Sequence, residues 1–281
     1  MVHAQLDALV ASMDVRARRA DDPVSLAHRY TDAADVEVAA LVASALAFGN
    51  VRTIRAKVEV VLDALGPHPA ASLRALGRDD LARRLDGFVH RVWKADDVAS
   101  MLDAAGRMQR AAGSLGEAFA ALVREEDTRT SDADAAFVEA LARLADALRG
   151  PLPSRGLRHL VPDPRAGSAC KRLWLWLRWM CRPADGVDFG LWPVSPARLL
   201  IPVDTHVHRI ARNLGLTRRT DASLRTAVEI TRKLRRFDPA DPVRYDFAIC
   251  HLGVSRACPS RRDEACCGAC SLRAACRHWS G

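Results

Sequence analysis

The sequence PVDTHVHRIARNLGL occupies residues 202–216 and directly follows the apolar run 199–201. Apolar positions recur at helical spacing after Asp204, so we predict a helix from Thr205 to Leu214 that ends at Gly215. Aspartate is a preferred N-cap because its carboxylate accepts the free amide hydrogens of the first turn. A carboxylate held this way stays ionised, and at the mouth of a cleft it can also stabilise a cation and take up a proton. The two roles of Asp204 are compatible.

A second informative stretch lies near the end of the chain. Four cysteines form a C-x8-C-x2-C-x5-C array, namely Cys258, Cys267, Cys270 and Cys276. Thiolates this close in sequence can converge on zinc or on an iron–sulfur cluster. The alternative, two disulfides, needs an oxidising compartment, and the N-terminus carries no secretory signal pattern. Cys266 competes with Cys267, but only Cys267 has the x2 spacing to Cys270.

Composition limits the class of protein. The chain has 281 residues and a net charge of +8, from 42 Lys and Arg against 34 Asp and Glu. A basic balance makes nucleic acid a plausible partner without identifying a site. The longest apolar run, 36–49, is interrupted by Glu37 and is shorter than a membrane span. We therefore expect a soluble cytoplasmic protein.

Apolar residues recur mainly at spacings of three and four, which predicts an almost entirely helical chain. Asp35 is the predicted N-cap of the first clear helix, and Pro242 is the predicted first residue of the last one. A proline-rich stretch, 151–164, is predicted to be a long non-helical connection. The predicted helices cover 36–49, 54–65, 98–112, 135–148, 171–181, 205–214, 222–236 and 243–252.

These motifs carry a resemblance. Residues 202–210 with 214–216 resemble the aspartate motif of the helix-hairpin-helix DNA glycosylase superfamily typified by endonuclease III. The sequence HLGVSRAC, 251–258, is similar to the segment that enters the superfamily's cluster loop, where C-x6-C-x2-C-x5-C holds a 4Fe-4S cluster. The first loop of the present array is two residues longer. The resemblance implies that Asp204 is catalytic and that the four cysteines bind a cluster.

Residues 167–172 and 246–248 also resemble an uncharacterised bacterial family of glycosylase-like proteins, and this likeness extends over most of the chain from about residue 25. The implied fold is all-α and two-lobed, with a C-terminal iron–sulfur loop. Residues 28–198 would form a helical barrel, and 1–27 would join 199–281 in the second lobe.

The nucleophilic lysine of endonuclease III follows a Leu-Pro-Gly-Val-Gly hairpin, which is absent here. Residues 161–171 form a better match, since their layout resembles the archaeal 8-oxoguanine DNA glycosylases. That resemblance implies that Lys171 is the nucleophile. It also leads us to expect that the backbone of Arg165, Ala166, Gly167 and Ser168 binds a DNA phosphate.

The residues around Lys171 predict that the pKa of its amine is lowered. On an ideal helix Leu175, Arg178 and Arg182 share its face, and tryptophans make much of the remaining surface apolar. Cations and apolar walls both lower a lysine pKa, which frees the amine to form a Schiff base. The alternative is a solvated first-turn lysine beside a buried helix.

Further residues are candidates for DNA contact. Phe48 and Asn50 lie where glycosylases insert a wedge into the gap left by a flipped base, although Phe48 also suits a core and Asn50 an ordinary turn. Arg256, Arg261 and Arg262 flank or lie within the first cysteine loop and are predicted to grip the DNA backbone, with solvated charge as the alternative. Burial is the default for Trp174, Trp176 and Trp179, which recur at helical spacing, and at most one of them is a candidate for stacking on an extruded base.

The predicted function is base excision by a monomeric, nucleoid-associated DNA glycosylase with AP-lyase activity. Its partner would be double-stranded DNA that contains damaged bases, with an oxidised purine as the first candidate because of the archaeal likeness. A different class of function is a non-catalytic protein that binds damaged or bent DNA on the same scaffold. A third is a zinc-dependent nucleic-acid binder, with zinc in place of the 4Fe-4S cluster.

Overall fold

The computed structural model describes residues 1–255, 258–259 and 261–279, and helices hold most of them. Its extended structure within those residues is one antiparallel pair, β1 (Val89–His90) and β2 (Trp93–Lys94). The all-α prediction is therefore confirmed. The helices are α1 (Val2–Ala11), α2 (Val15–Asp21), α3 (Ala33–Ala45), α4 (Val51–Leu65), α5 (Pro69–Ala75), α6 (Arg78–Arg84), α7 (Ala95–Ala112), α8 (Leu115–Arg129), α9 (Ala133–Arg149), α10 (Arg155–Leu160), α11 (Lys171–Cys181), α12 (Thr205–Asn213), α13 (Leu224–Leu234), α14 (Asp246–Val254) and α15 (Glu264–Cys267).

Capping explains where the predicted boundaries were wrong. Helix α3 begins earlier than predicted because Asp32, and not Asp35, accepts the first-turn amides, from Ala34 at 3.0 Å and Asp35 at 3.2 Å. Asp35 is buried and accepts the amide of Ala70 at 2.8 Å. Helix α14 begins later than predicted, after a turn in which the amide of residue 246 donates to the carbonyl of Val243.

Two further predictions of local structure were wrong. The proline-rich connection contains the short helix α10, capped by Ser154, and a 3-10 turn at Pro164–Ala166. The predicted helices also omit α1, α2, α5, α6 and α8. The buried stripe of α8 is narrow, and its last turns are rich in charged residues. By contrast, α11 spans the predicted range 171–181.

Helix α3 lies at the centre of the core and is buried on all sides from Asp35 to Ala45. Helix α11 packs against it, so the long apolar face of α11 is covered while Lys171 stands at its exposed N-terminal end. Helices α12 and α14 pack against each other. This packing brings the start of α12 towards the start of α11.

The N-terminal segment contacts α14 and the turn before it. The Tyr245 hydroxyl donates to Asp7 at 3.1 Å, and His251 Nε2 lies 3.3 Å from Asp22 Oδ2. One continuous apolar core includes residues from Leu6 to Ala275, and the boundary between the two lobes stays a prediction. Within the described residues, no helix is both long enough and apolar enough to cross a bilayer.

Candidate active site

Lys171 is delivered by a tight turn. Asp163 caps the 3-10 turn at Pro164–Ala166, Gly167 follows with φ of 81°, and Cys170 has φ of 46°. A positive φ is unusual for a residue with a side chain, and here it directs the chain from the turn into α11. The carbonyl of Gly167 accepts the amide of Leu224 at 2.9 Å, which ties the turn to α13.

The turn has fewer free polar groups than we predicted. The amides of Arg165, Ala166 and Gly167 donate to Asp163 and Pro164 within the turn. The Arg165 side chain is held by carboxylates on α9, with Nη2 2.9 Å from Glu139 and Nη1 2.9 Å from Asp146. Within the predicted phosphate site of 165–168, these groups are already engaged, and the role of the segment in binding phosphate stays a prediction.

Lys171 and Asp204 form an ion pair. The distance from Lys171 Nζ to Asp204 Oδ2 is 2.8 Å, with 29% and 18% of the two side chains exposed. Asp204 is also the N-cap of α12, since its Oδ1 accepts the amides of His206 and Val207, each at 2.9 Å. Residues separated by 33 positions thus present an amine and a carboxylate to the same partly open space.

The pKa of Lys171 is raised, so our prediction of a lowered value was wrong. Burial acts to lower it, but the Asp204 carboxylate and further groups on α14 outweigh burial. In Asp204 burial acts to raise the pKa, but Lys171 and the amide of Val207 outweigh it, and the net pKa is lowered. In the resting protein both groups are therefore charged.

The prediction failed because the cations expected to act on Lys171 are themselves neutralised. Arg178 is 2% exposed, with Asp246 2.5 Å from its Nη1 and Asp188 3.2 Å from its Nη2. Arg182 pairs with Asp185, Asp188 and Asp241. A buried guanidinium surrounded by carboxylates exerts little net positive field on the lysine two turns away.

Helix α14 supplies groups that the sequence analysis did not assign to the site. Asp246 and Cys250 both interact electrostatically with Lys171 and Asp204. Burial raises the pKa of both the Asp246 carboxyl and the Cys250 thiol. Cys250 therefore lies beside the ion pair. The one available signal was the spacing of four between the two residues, which places them on one face of a helix.

The three tryptophans of α11 are buried, with Trp174 and Trp176 fully covered and Trp179 1% exposed. The expected burial is therefore confirmed, and none of the three faces open space where a base could stack. They pack instead against aromatic neighbours, as Trp176 does against Trp192 at 4.8 Å between ring centroids. Burial is the usual state of aromatic residues at helical spacing.

Phe48 is 47% exposed, and Asn50 caps α4 by accepting the amide of Arg52 at 3.0 Å. The guanidinium of Arg91, in the turn between β1 and β2, lies 5.6 Å from the centre of the Phe48 ring. The ring also lies 6.0 Å from Trp93, on which Arg172 stacks at 4.7 Å. The exposed ring is thus connected by direct contacts to the residue next to Lys171.

The four cysteines of the array line one apolar cavity between α12 and the C-terminal segment. Cys266 is exposed and does not line it, which favours Cys267 as the member of the array. Across the part of the chain that the structure describes, no three His, Cys, Asp or Glu side chains are placed as ligands of one metal ion. The thiols therefore surround the cavity without converging on one point, and soft donors around an apolar space fit the donor set of a cluster or of zinc.

The cysteine segment is attached to the helix that begins at Asp204. Arg209 Nη2 donates to the carbonyl of Cys258 at 2.9 Å, and the amide of Arg277 donates to the carbonyl of Asn213 at 2.8 Å. Of the predicted DNA contacts, Arg262 stacks on Trp279 at 3.9 Å. Arg261 lines the cavity, and Arg256 lies outside the described residues.

Comparison with known proteins places the chain in a family. No curated protein matches it. A family model described as a protein of unknown function, DUF2400, matches residues 22–255, a range that includes Lys171, Asp204 and Asp246 but stops before the cysteine array. Because the match covers well over half of the sequence, the chain belongs to the DUF2400 family.

Proposed function

We propose that this protein is a DNA glycosylase with lyase activity, in which Lys171 and Asp204 act on C1′ of a damaged nucleotide. The observation that carries the proposal is the 2.8 Å contact between the two side chains, each partly exposed. An amine and a carboxylate at this distance are the two groups that such a reaction needs, a nucleophile and a stabiliser of the sugar cation.

Asp204 is suited to face a developing positive charge. Its carboxylate is ionised in the resting protein, and two backbone amides hold Oδ1 in place. Because the orientation is fixed before substrate binds, little reorganisation is needed as the sugar acquires oxocarbenium character. The side chain that caps α12 is thus also the proposed stabiliser of the sugar cation.

Lys171 attacks only after losing a proton, since its resting state is the ammonium. The proton passes to solvent, so that Asp204 stays ionised, and the free amine forms a bond to C1′ while the bond from C1′ to the base nitrogen breaks. The electron pair leaves with the base, which takes up a proton. Opening of the sugar ring then gives the Schiff base, from which loss of a C2′ proton expels the 3′ phosphate.

The surface around the pair supports DNA as the substrate. The net charge of +8 favours a polyanion. Phe48 offers an exposed ring on the side of Arg172, and an apolar ring beside a guanidinium suits insertion between base pairs. An oxidised purine is the first candidate substrate, and it rests on the sequence resemblance alone.

The four thiols of the cysteine array are proposed to hold a 4Fe-4S cluster, with zinc as the alternative. Such a group would stabilise the segment that contacts α12 through Arg209 and Asn213. No chemical step depends on it.

Borohydride trapping on duplexes that contain an abasic site or 8-oxoguanine tests the function. We expect the wild type to form a covalent adduct and Lys171→Ala to form none, whereas the surface variant Lys94→Ala traps like wild type. Adduct formation by Lys171→Ala would contradict the assignment of the nucleophile. Tight binding to damaged duplex with no adduct in the wild type would favour the non-catalytic DNA-binding function.

A further inference from the structure

Asp246 is a buried carboxylate with only one of its two oxygens engaged. The side chain is 2% exposed, and Oδ2 contacts Arg178 Nη1 at 2.5 Å. Oδ1 is buried and has no hydrogen-bond partner among the residues that the structure describes. A buried carboxylate oxygen is costly to leave unpaired, so its presence calls for an explanation.

The need to balance the charge of Arg178 does not by itself explain why Asp246 is buried. Asp188 is also buried and lies 3.2 Å from Arg178 Nη2, while it pairs with Arg182 as well. Asp188 interacts with arginines and with Asp185, whereas Asp246 interacts with Arg178 and with both members of the Lys171–Asp204 pair. The two carboxylates share Arg178 and differ in whether they face the lysine.

The packing of α14 accounts for this position. Gly253 lets α14 approach α12 so closely that a Cβ atom would lie 2.6 Å from His206 Cβ. Lys171 and Arg178 lie seven residues apart on one face of α11, and Asp246 pairs with Arg178 while it also interacts with Lys171 and Asp204. Asp246, the first residue of α14, thereby stands behind the ion pair.

We propose that Asp246 is a second counter-ion of Lys171, which holds the lysine once the substrate engages Asp204. The counter-ion relationship rests on the buried, unpartnered Oδ1 and on the electrostatic interaction of Asp246 with Lys171, and its use during a reaction rests on the proposed function. Asp246 is a positioning residue, because it acts on the lysine and not on the substrate. The unpartnered Oδ1 of Asp246 is the atom that accepts a hydrogen bond from the Lys171 ammonium in that state.

The groups that face Lys171 are few. They are Asp204 from α12 and Asp246 and Cys250 from α14. Asp22 and His251, which pair with each other, lie next to this group, since Asp22 interacts with Arg178 and Cys250. Neutralising Asp246 therefore removes one of two carboxylates that keep the lysine protonated.

Competitive acetylation with acetic anhydride measures this directly, because only the neutral amine reacts. The chain has four lysines, so Lys57, Lys94 and Lys233 serve as internal references in peptide mass spectrometry. In Asp246→Asn we expect Lys171 to be acetylated about threefold faster or more at a fixed pH below its midpoint, which corresponds to a pKa lower by about half a unit. In the matched control Asp188→Asn the rate should stay within experimental error of wild type.

A second comparison tests whether Asp246 holds the Lys171 ammonium when Asp204 carries no charge. Lys171 in Asp204→Asn should remain less reactive than in the double variant Asp204→Asn, Asp246→Asn, because Asp246 holds the ammonium once Asp204 is neutral. Near-ultraviolet circular dichroism checks that each variant is folded. If Asp246→Asn does not fold, the double variant Arg178→Gln, Asp246→Asn is compared with Arg178→Gln, so that the two proteins differ only in the charge of residue 246.

Equal acetylation of Lys171 in wild type and Asp246→Asn would overturn the proposal, as would an equal effect of Asp188→Asn. In borohydride trapping, Asp246→Asn should shift the pH profile of adduct formation to lower pH. If acetylation changes as expected while the wild type traps no duplex at any pH, the counter-ion stands and the proposed function fails.

Discussion

The Nζ atom of Lys171 lies 2.8 Å from Oδ2 of Asp204, while Oδ1 of the same carboxylate accepts two amides at the start of α12. Oδ1 of Asp204 thus caps α12, and Oδ2 forms the ion pair with Lys171. This division allows the structural and chemical roles of Asp204 to be separated by substitution.

Asp204→Asn should keep the cap and lose the charge, because asparagine is as good an N-cap as aspartate. Asp204→Ala should lose both. We expect Asp204→Ala to be less stable than Asp204→Asn by about 1 kcal/mol in urea unfolding, and both to lose covalent trapping. Equal stability of the two variants would show that the cap contributes nothing measurable.

The ion pair should give a defined dependence of stability on pH. The folded pKa of Asp204 is lowered, so its contribution is present above the unfolded value of about 4 and is lost as the pH falls through the folded pKa. The folded pKa of Lys171 is raised, so its contribution is present below about pH 10 and is lost as the pH rises through the folded pKa.

The difference in unfolding free energy between wild type and Asp204→Asn should therefore be constant from about pH 5 to 9 and shrink at about pH 3. Urea unfolding at each pH measures it. Asp79→Asn, at a side chain that is 79% exposed, should differ little from wild type throughout. A difference that persists undiminished at about pH 3 would mean that the pair is not responsible.

The buried Arg178 should contribute far more to the free energy of unfolding than the exposed Arg232. Arg178→Met leaves Asp246 and Asp188 without a shared partner, and we expect it to reduce the unfolding free energy by about 3–5 kcal/mol. Arg232→Met removes an exposed pair with Asp134 and should cost less than about 1 kcal/mol. Similar losses from both would contradict the buried network.

Gly253 should be required for space and not for backbone freedom. An alanine there would place Cβ 2.6 Å from His206 Cβ and push α14 from the start of α12. We expect Gly253→Ala to lower the thermal midpoint and to weaken trapping. The control Gly77→Ala makes only an ordinary contact at 3.9 Å from Asp80 and should leave trapping unchanged.

Substitution of a cysteine in the array should affect metal binding, whereas substitution of the neighbouring Cys266 should not. If a 4Fe-4S cluster binds, protein purified without oxygen should be brown, Cys270→Ser should lose colour and iron, and the exposed Cys266→Ser should retain both. Iron and zinc analysis with the visible spectrum provides the measurement. A colourless wild type with one zinc per chain would favour the zinc site instead.

Local patterns in the sequence were sufficient for the helical class, the range of α11 and the cap at Asp204. Helical periodicity and capping depend on residues within a few positions of one another, so they can be recognised in one segment at a time. The starts of α3 and α14 were harder to predict, because Asp35 and Pro242 match capping patterns equally well but are used otherwise.

The choice of Lys171 and Asp204 as partners was also available from the sequence, through its motifs. The charge of the lysine was not. Whether a buried lysine is an amine or an ammonium depends on which carboxylates the fold brings within a few ångströms, and those come from α12 and α14. Sequence alone thus determined the helical class and nominated Lys171 and Asp204 as candidate site residues. Only the tertiary structure decided their ionisation, buried the tryptophans and brought Asp246 into electrostatic interaction with Lys171, because electrostatics and burial depend on contacts between segments far apart in the chain.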